Sequence, residues 1–183
     1  MKITILNGNP APENQAFDGY LERLSEAWQS AGHAVNNLEL RSMTIAYCTG
    51  CFGCWVKTPG ECIARDEARE VWRAALNSDF VLFASPLLMG FPSALLKKVN
   101  DKLLPTLHPY FVIDHGEVHH RGRYDRYPEL GLLLEKSQDT DDEDLAIVSE
   151  IYSRIAVNWK SRLGFTHLTT DPVEEVAHEI DRL

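Results

Sequence analysis

Four cysteines share one short stretch, Cys48, Cys51, Cys54 and Cys62, at the spacing C-x2-C-x2-C-x7-C. Thiolates are soft ligands, and four of them suffice for a [4Fe–4S] cluster. Zinc matches less well, because closed structural zinc sites prefer paired ligands set further apart. The same residues also read as a glycine-rich loop with small buried thiols, open to redox chemistry but holding no metal. In a reducing compartment such thiols read as metal-binding, redox or structural sooner than as a disulfide framework.

Two further stretches carry chemistry-bearing types. Residues 107 to 128 hold His115, His119 and His120, Arg121, Arg123 and Arg126, and Tyr110, Tyr124 and Tyr127. No carboxylate or His lies at convincing helical spacing from them, so a metal site is disfavoured. A solvated hairpin, Tyr110–Ile113 against Glu117–His120 across Asp114-His115-Gly116, is expected. Tyr and Arg are favoured at interfaces, which makes this excursion the expected dimer contact. The other stretch runs from Asp79 to Lys102. Phe80-Val81-Leu82-Phe83-Ala84 is apolar on both faces, the mark of a central strand in a parallel sheet. A break is expected at Ser85-Pro86, and a helix from near Ser93 with Leu95, Leu96 and Val99 inward and Lys97, Lys98 and Lys102 outward.

The rest of the chain must position these residues. Lys2–Leu6 reads as a strand ending at Asn7-Gly8-Asn9-Pro10. Phe17, Tyr20, Leu21, Leu24, Ala27 and Trp28 have amphipathic helical spacing. His33–Leu40 reads as a second strand, and a helix from Asp66 turns Ala68, Val71, Trp72, Ala75 and Leu76 inward. Leu130–Leu134 is a fourth core strand. The acidic run 139 to 144 opens a long helix, its charge favoured by the helix dipole. Gly164–Thr169 is a short fifth strand, and Asp171-Pro172 caps a last helix. Five strands alternating with five helices predict parallel βαβ units in one domain over residues 1 to 183. The expected fold is an α/β three-layer sandwich with a flavodoxin-like five-stranded parallel sheet, order 2-1-3-4-5. Its crevice would be lined by the loops after Leu6, Ala84 and Leu134.

Several classes fall away. A net charge of -9 argues against a nucleic-acid partner. No apolar run approaches the ~20 residues of a membrane helix, and Met1-Lys2 leads into a strand, so a cytoplasmic location is expected. A response regulator would need carboxylates after strand 1 and a phosphorylatable Asp ending strand 3, where Asn7-Gly8 and Ser85-Pro86 stand. Neither G-x-G-x-x-G after strand 1 nor G-x-S-x-G is present.

Ser85-Pro86-Leu87-Leu88-Met89-Gly90-Phe91-Pro92-Ser93-Ala94, followed by Leu96-Lys97, Asn100-Asp101 and Lys102, resembles the second flavin loop of the NADPH-dependent FMN reductase and iron–sulfur flavoprotein group. The resemblance extends to Cys48-Thr49-Gly50-Cys51-Phe52-Gly53-Cys54, with Gly60-Glu61-Cys62 and Asp66 behind it. It covers residues 1 to 102; beyond them it is one of topology. It implies FMN as cofactor, NAD(P)H as co-substrate, a small-molecule electron acceptor and a homodimer or higher homo-oligomer. No catalytic acid or base is implied, since the flavin itself takes the hydride. Pro86, Leu87, Leu88, Met89, Gly90 and Phe91 would meet the ring, whose flat apolar body suits apolar side chains and backbone polar groups. Leu88 stands where the family commonly has Tyr. The family's G-S-x-R phosphate loop is replaced by Gly8-Asn9-Pro10-Ala11-Pro12-Glu13. That leaves Asn9, Asn14, Gln15 and Ala16 at a helix N-terminus to meet the phosphate, with Glu13 opposing. The spacing lies within the range of iron–sulfur flavoproteins, yet many flavodoxin-fold relatives carry a similar cysteine loop, including the Lys57-x-Pro59-Gly60-x-Cys62 ending, without a cluster, so a [4Fe–4S] cluster is possible here but not favoured. The altered phosphate loop also keeps open a flavin-less binding protein on the same fold.

Overall fold

The structure is a computed structural model that describes residues 1–114 and 116–182. His115, one of the three histidines of the expected hairpin, lies outside the described residues.

The strands of the main sheet are β1 (Lys2–Asn7), β2 (Ala34–Glu39), β3 (Phe80–Leu88), β7 (Glu129–Glu135) and β8 (Leu163–Leu168). They pair in parallel in the order β2-β1-β3-β7-β8, so among the five core strands the order is the expected 2-1-3-4-5. The remaining strands are β4 (Phe91–Pro92), which turns back on β3, and the antiparallel pair β5 (Leu107–Asp114) and β6 (Glu117–Gly122). The helices are α1 (Gln15–Ser30), α2 (Gly53–Val56), α3 (Ala68–Leu76), α4 (Ala94–Asp101), α5 (Asp142–Asn158) and α6 (Val173–His178).

Strand alternation divides the core. Ile3, Ile5, Phe80, Leu82 and Leu133 point to one face, where Phe17, Leu21, Leu24 and Trp28 of α1 and Val176 of α6 close over them. Leu6, Val81, Phe83 and Leu132 point to the other, against Val71 and Trp72 of α3, Leu96 and Val99 of α4, and Val148 and Tyr152 of α5. These are the three layers. Each fully buried Leu, Ile or Phe contributes about 1.5–3 kcal/mol relative to exposure. No helix among the described residues is long and apolar enough to cross a membrane.

The structure departs from two expectations. β3 does not break at Ser85-Pro86 but runs on to Leu88, pairing Ser85 with Leu134 and Pro86 with Glu135. β1 makes its last pair at Asn7–Ala84, so Pro86 lies where one neighbouring ladder has already ended and the missing N–H costs little. Lys102 does not face solvent. It caps α4 with its side chain 1% exposed, bonded to Asp66. The residues before α3 carry this carboxylate under the end of α4, and an ammonium there needs a partner.

Candidate functional site

The carboxyl ends of β1, β3 and β7 meet where the sheet order reverses, the place such sheets hold ligands. The β1–α1 turn is drawn tightly against β3. Gly8 donates its N–H to Ala84 O at 2.8 Å, and a Cβ on Gly8 would stand 3.0 Å from that oxygen and from Leu96. Ser93 locks the same approach: its Oγ donates to Gly8 O at 2.5 Å and accepts from Leu96 N–H at 3.3 Å, capping α4.

Beyond Ser85 the chain forms a two-residue hairpin. Leu88 pairs with Phe91, and between them Met89 and Gly90 have φ of 54° and 74°. Two left-handed residues make a type I′ turn, whose twist suits β-strands. Glycine enters that region freely and methionine does not. Met89 is 95% exposed, Leu88 50% and Phe91 40%, so the hairpin lifts an apolar tip to solvent at the crevice. Leu87 is buried in the core, and Pro86 lies within β3. Gly90 packs on the start of α5, where an added Cβ would stand 2.5 Å from Asp144 Oδ1. Asp144 and Asp141 cap α5 reciprocally: Asp144 N–H donates to Asp141 Oδ1 at 2.9 Å and Asp141 N–H to Asp144 Oδ2 at 3.1 Å.

The turn after β1 uses its polar groups internally. Asn9 is fully buried; its Nδ2 donates to Asn14 O and its Oδ1 accepts from Ala11 N–H. Asn14 caps α1 by accepting from Phe17 N–H, and its Nδ2 donates to Glu135 Oε2 at 2.6 Å. Gln15 and Ala16 are exposed at the first turn of α1. Arg41, which the sequence reading did not single out, supports this turn from behind. It donates to Asn9 O, pairs with Asp18 at 3.0 Å and bonds Glu39. Burial pushes the Asp18 carboxyl up, but hydrogen bonds from Asn7 and Arg41 outweigh it and hold the group below the usual carboxylate range. Sequence spacing gave no sign of Arg41's role, because it comes from the turn after β2.

A flavin held in this crevice would meet unequal ends. The apolar hairpin tip suits an isoalloxazine ring. The β1–α1 turn does not suit a phosphate, since Glu13 and Glu135 flank it and most of its donors are engaged.

The cysteine loop lies to one side. All four cysteines line one cavity of about 130 Å³, together with Asp101, Lys102 and Pro105. Hydrogen bonds from Gly53 N–H and the Thr49 hydroxyl stabilise the Cys51 thiolate and hold its pKa below the ordinary thiol value. Burial pushes Cys54 up, and the neighbouring Cys62, Cys48 and Cys51 add to the shift. Among the described residues no group of three or more His, Cys, Asp or Glu side chains is gathered for a single metal ion. Within the β5–β6 pair, His119 bonds Glu117 at 3.0 Å, while Phe111 stacks on His120, whose ring also meets Trp55 of the cysteine loop at 4.7 Å.

Residues 1–117 match the family model described as NADPH-dependent FMN reductase. An iron-sulfur flavoprotein of Archaeoglobus fulgidus is 34% identical over 111 residues, covering 59% of this chain and 48% of that protein. An iron-sulfur flavoprotein of Methanocaldococcus jannaschii is 29% identical over 105 residues, covering 57% of this chain and 53% of that one. The chain thus spans about half the length of these curated relatives. Among solved structures, an azoreductase from Bacillus anthracis is similar in fold, with a TM-score of 0.66 at 15% identity over 100% of both chains. An NAD(P)H:quinone oxidoreductase from Methanothermobacter marburgensis gives a TM-score of 0.65 at 17% identity, covering 99% of this chain and 90% of that one.

Proposed function

The chain belongs to the NADPH-dependent FMN reductase family, whose model covers residues 1–117, and on that premise we propose that it is an FMN-dependent NAD(P)H oxidoreductase delivering electrons to a small-molecule acceptor. The observation that carries the reading is the exposed apolar tip Leu88–Phe91, held at the sheet's switch point by a strained turn. When bound, a flavin supplies hydride uptake from a nicotinamide and passage of electrons onward. The protein's part is to seat the ring. Leu88, Met89 and Phe91 would cover one face and exclude water, while Pro86 and Gly90 shape the backbone beside the ring edge. Gln15 and Ala16 stand at the far end, with Asn9 and Asn14 holding the turn that presents them. A thermal-shift titration with FMN tests it. Occupancy at 100 times Kd stabilises a folded protein by about 2.7 kcal/mol, so a clear rise in Tm is expected. No rise at saturating FMN would leave the flavin-less binding protein as the better reading.

A specific observation favours a second cofactor beside the flavin. The four cysteines face one cavity, and the two curated relatives are named iron-sulfur flavoproteins. Cys48, Cys51, Cys54 and Cys62 would supply the four thiolates that hold a [4Fe–4S] cluster, and the cluster would supply one-electron transfer. Iron and acid-labile sulfide assayed after anaerobic purification decide between the readings. About four of each per chain are expected for a cluster, and none for free thiols. We place the homodimer contact on the β5–β6 pair, where Tyr110, Phe111 and Ile113 are exposed. Four free cysteines suit a reducing, cytoplasmic setting.

A further inference from the structure

We propose that this crevice selects a flavin by its ring and not by its phosphate, so that riboflavin and FMN compete for it on near-equal terms and the flavin exchanges as a diffusible substrate. The inference rests on the flavin reading above and narrows it.

A phosphate at the β1–α1 turn would need N–H or hydroxyl donors, and the turn has almost none to give. The N–H of Gly8 goes to Ala84 O, that of Asn9 to Asn7 Oδ1 at 2.9 Å, and that of Ala11 to Asn9 Oδ1 at 3.1 Å. The N–H of Asn14 goes to Ala11 O at 3.0 Å and that of Gln15 to Glu13 O at 2.9 Å. Pro10 and Pro12 have no N–H. From Gly8 to Ala16 only Glu13 and Ala16 keep an N–H without a partner among the described residues, beside the exposed Gln15 amide. The Asn9 amide is buried and bonded to Asn14 O, the Asn14 amide gives one of its two N–H groups to Glu135, and Arg41 is paired with Asp18 and Glu39 behind the turn.

The neighbouring loop is no more generous. Ser137 and Thr140 bond to each other at 2.8 Å, Lys136 pairs with Asp142 at 3.0 Å, and the α5 N-terminus is filled by its own Asp141 and Asp144. The hydroxyls of Ser85 and Ser93 are given to Pro86 O and Gly8 O. What faces a phosphate instead is carboxylate: Glu13 on the turn itself, and Glu135 at the end of β7, held toward the turn by Asn14. Like charges here raise the cost of a dianion. A built phosphate clamp would contribute several charge-assisted hydrogen bonds, and each of those favours FMN over riboflavin by about tenfold or more.

Flavin-fluorescence titrations of the full chain with riboflavin and with FMN test this directly, with inorganic phosphate as a competitor. The two flavins are expected to bind within about threefold of each other, with phosphate displacing neither. Glu135→Gln keeps an acceptor for Asn14, and Glu13→Gln lies on an exposed turn. Each is expected to tighten FMN about two- to fivefold relative to riboflavin by removing a carboxylate from a partly solvated site. FMN binding tenfold or more tighter than riboflavin, or displacement of FMN by phosphate alone, would overturn the inference while leaving the flavin reading standing. Binding of neither flavin would overturn both.

Discussion

At the scale of single residues, the buried pair Lys102–Asp66 is the clearest structural commitment. Both side chains are nearly inaccessible, at 1% and 9% exposed. Asp66 also accepts from Ala46 N–H at 2.9 Å and Ala68 N–H at 3.2 Å. The pair therefore joins the loop behind the cysteines to the end of α4. Burial pushes the Asp66 carboxyl up, but the bonds from Lys102 and Ala46 outweigh it and hold the group below the usual carboxylate range. A depressed carboxylate contributes stability that is present above its unfolded value and lost as pH falls through its folded value. For Asp66 that loss lies below roughly pH 4. Lys102→Met leaves a buried charge unpaired and is expected to cost about 3–5 kcal/mol at neutral pH by urea titration. The gap from wild type should narrow on acidification, because protonation relieves the lone carboxylate in the variant while weakening the pair in the parent. A constant gap across that range would mean the pair is not ionic. Nothing in the sequence pattern announced this pair, because α4 periodicity alone assigns Lys102 to the solvent side. The same limit applies at Asn9 and Asn14. Residue type marks them as donors, but only the folded turn shows their amides already bonded inward.

At the scale of elements, the β3–β4 hairpin is the feature sequence reasoning located but shaped wrongly. Ser85-Pro86 is a strong breaker signal, yet β7 pairs with β3 through Pro86, and β4 then carries the strand two residues further by pairing with Leu87 and Leu88. The Met89-Gly90 turn was invisible for a related reason: type I′ turns are signalled by Asn-Gly or Asp-Gly, not by methionine. A methionine held left-handed and 95% exposed is strain without a packing return. That strain is accounted for if the side chain lies on a bound ring. Met89→Gly is therefore expected to stabilise the free protein by about 1 kcal/mol. The same change should weaken flavin binding by about tenfold through lost apolar contact. Chemical denaturation and flavin titration of one variant check both halves. Unchanged flavin affinity in the stabilised variant would separate Met89 from the ring site.

At the scale of the whole molecule, topology was the most legible property. Alternating buried runs and amphipathic helices, with short connections, leave few ways to arrange five parallel strands, and the observed order is one of them. The two cores on either face of the sheet follow from strand alternation and helix periodicity at residues such as Phe80, Val81, Trp28 and Trp72. The β5–β6 excursion was legible as a hairpin because its two strands flank a glycine turn, while its partner surface depends on a second body that no single chain reveals. The candidate site follows the same gradient: the exposed apolar tip is a matter of local chain geometry, whereas the donors left at the β1–α1 turn depend on which ones the fold has already engaged. The most direct test of the central claim is oxidation of NAD(P)H by the purified chain, followed by loss of the reduced nicotinamide absorbance as FMN or riboflavin is added. Catalysis that saturates in both the nicotinamide and the flavin is the predicted result. A rate no faster than that of free flavin alone, at every flavin concentration, would contradict it.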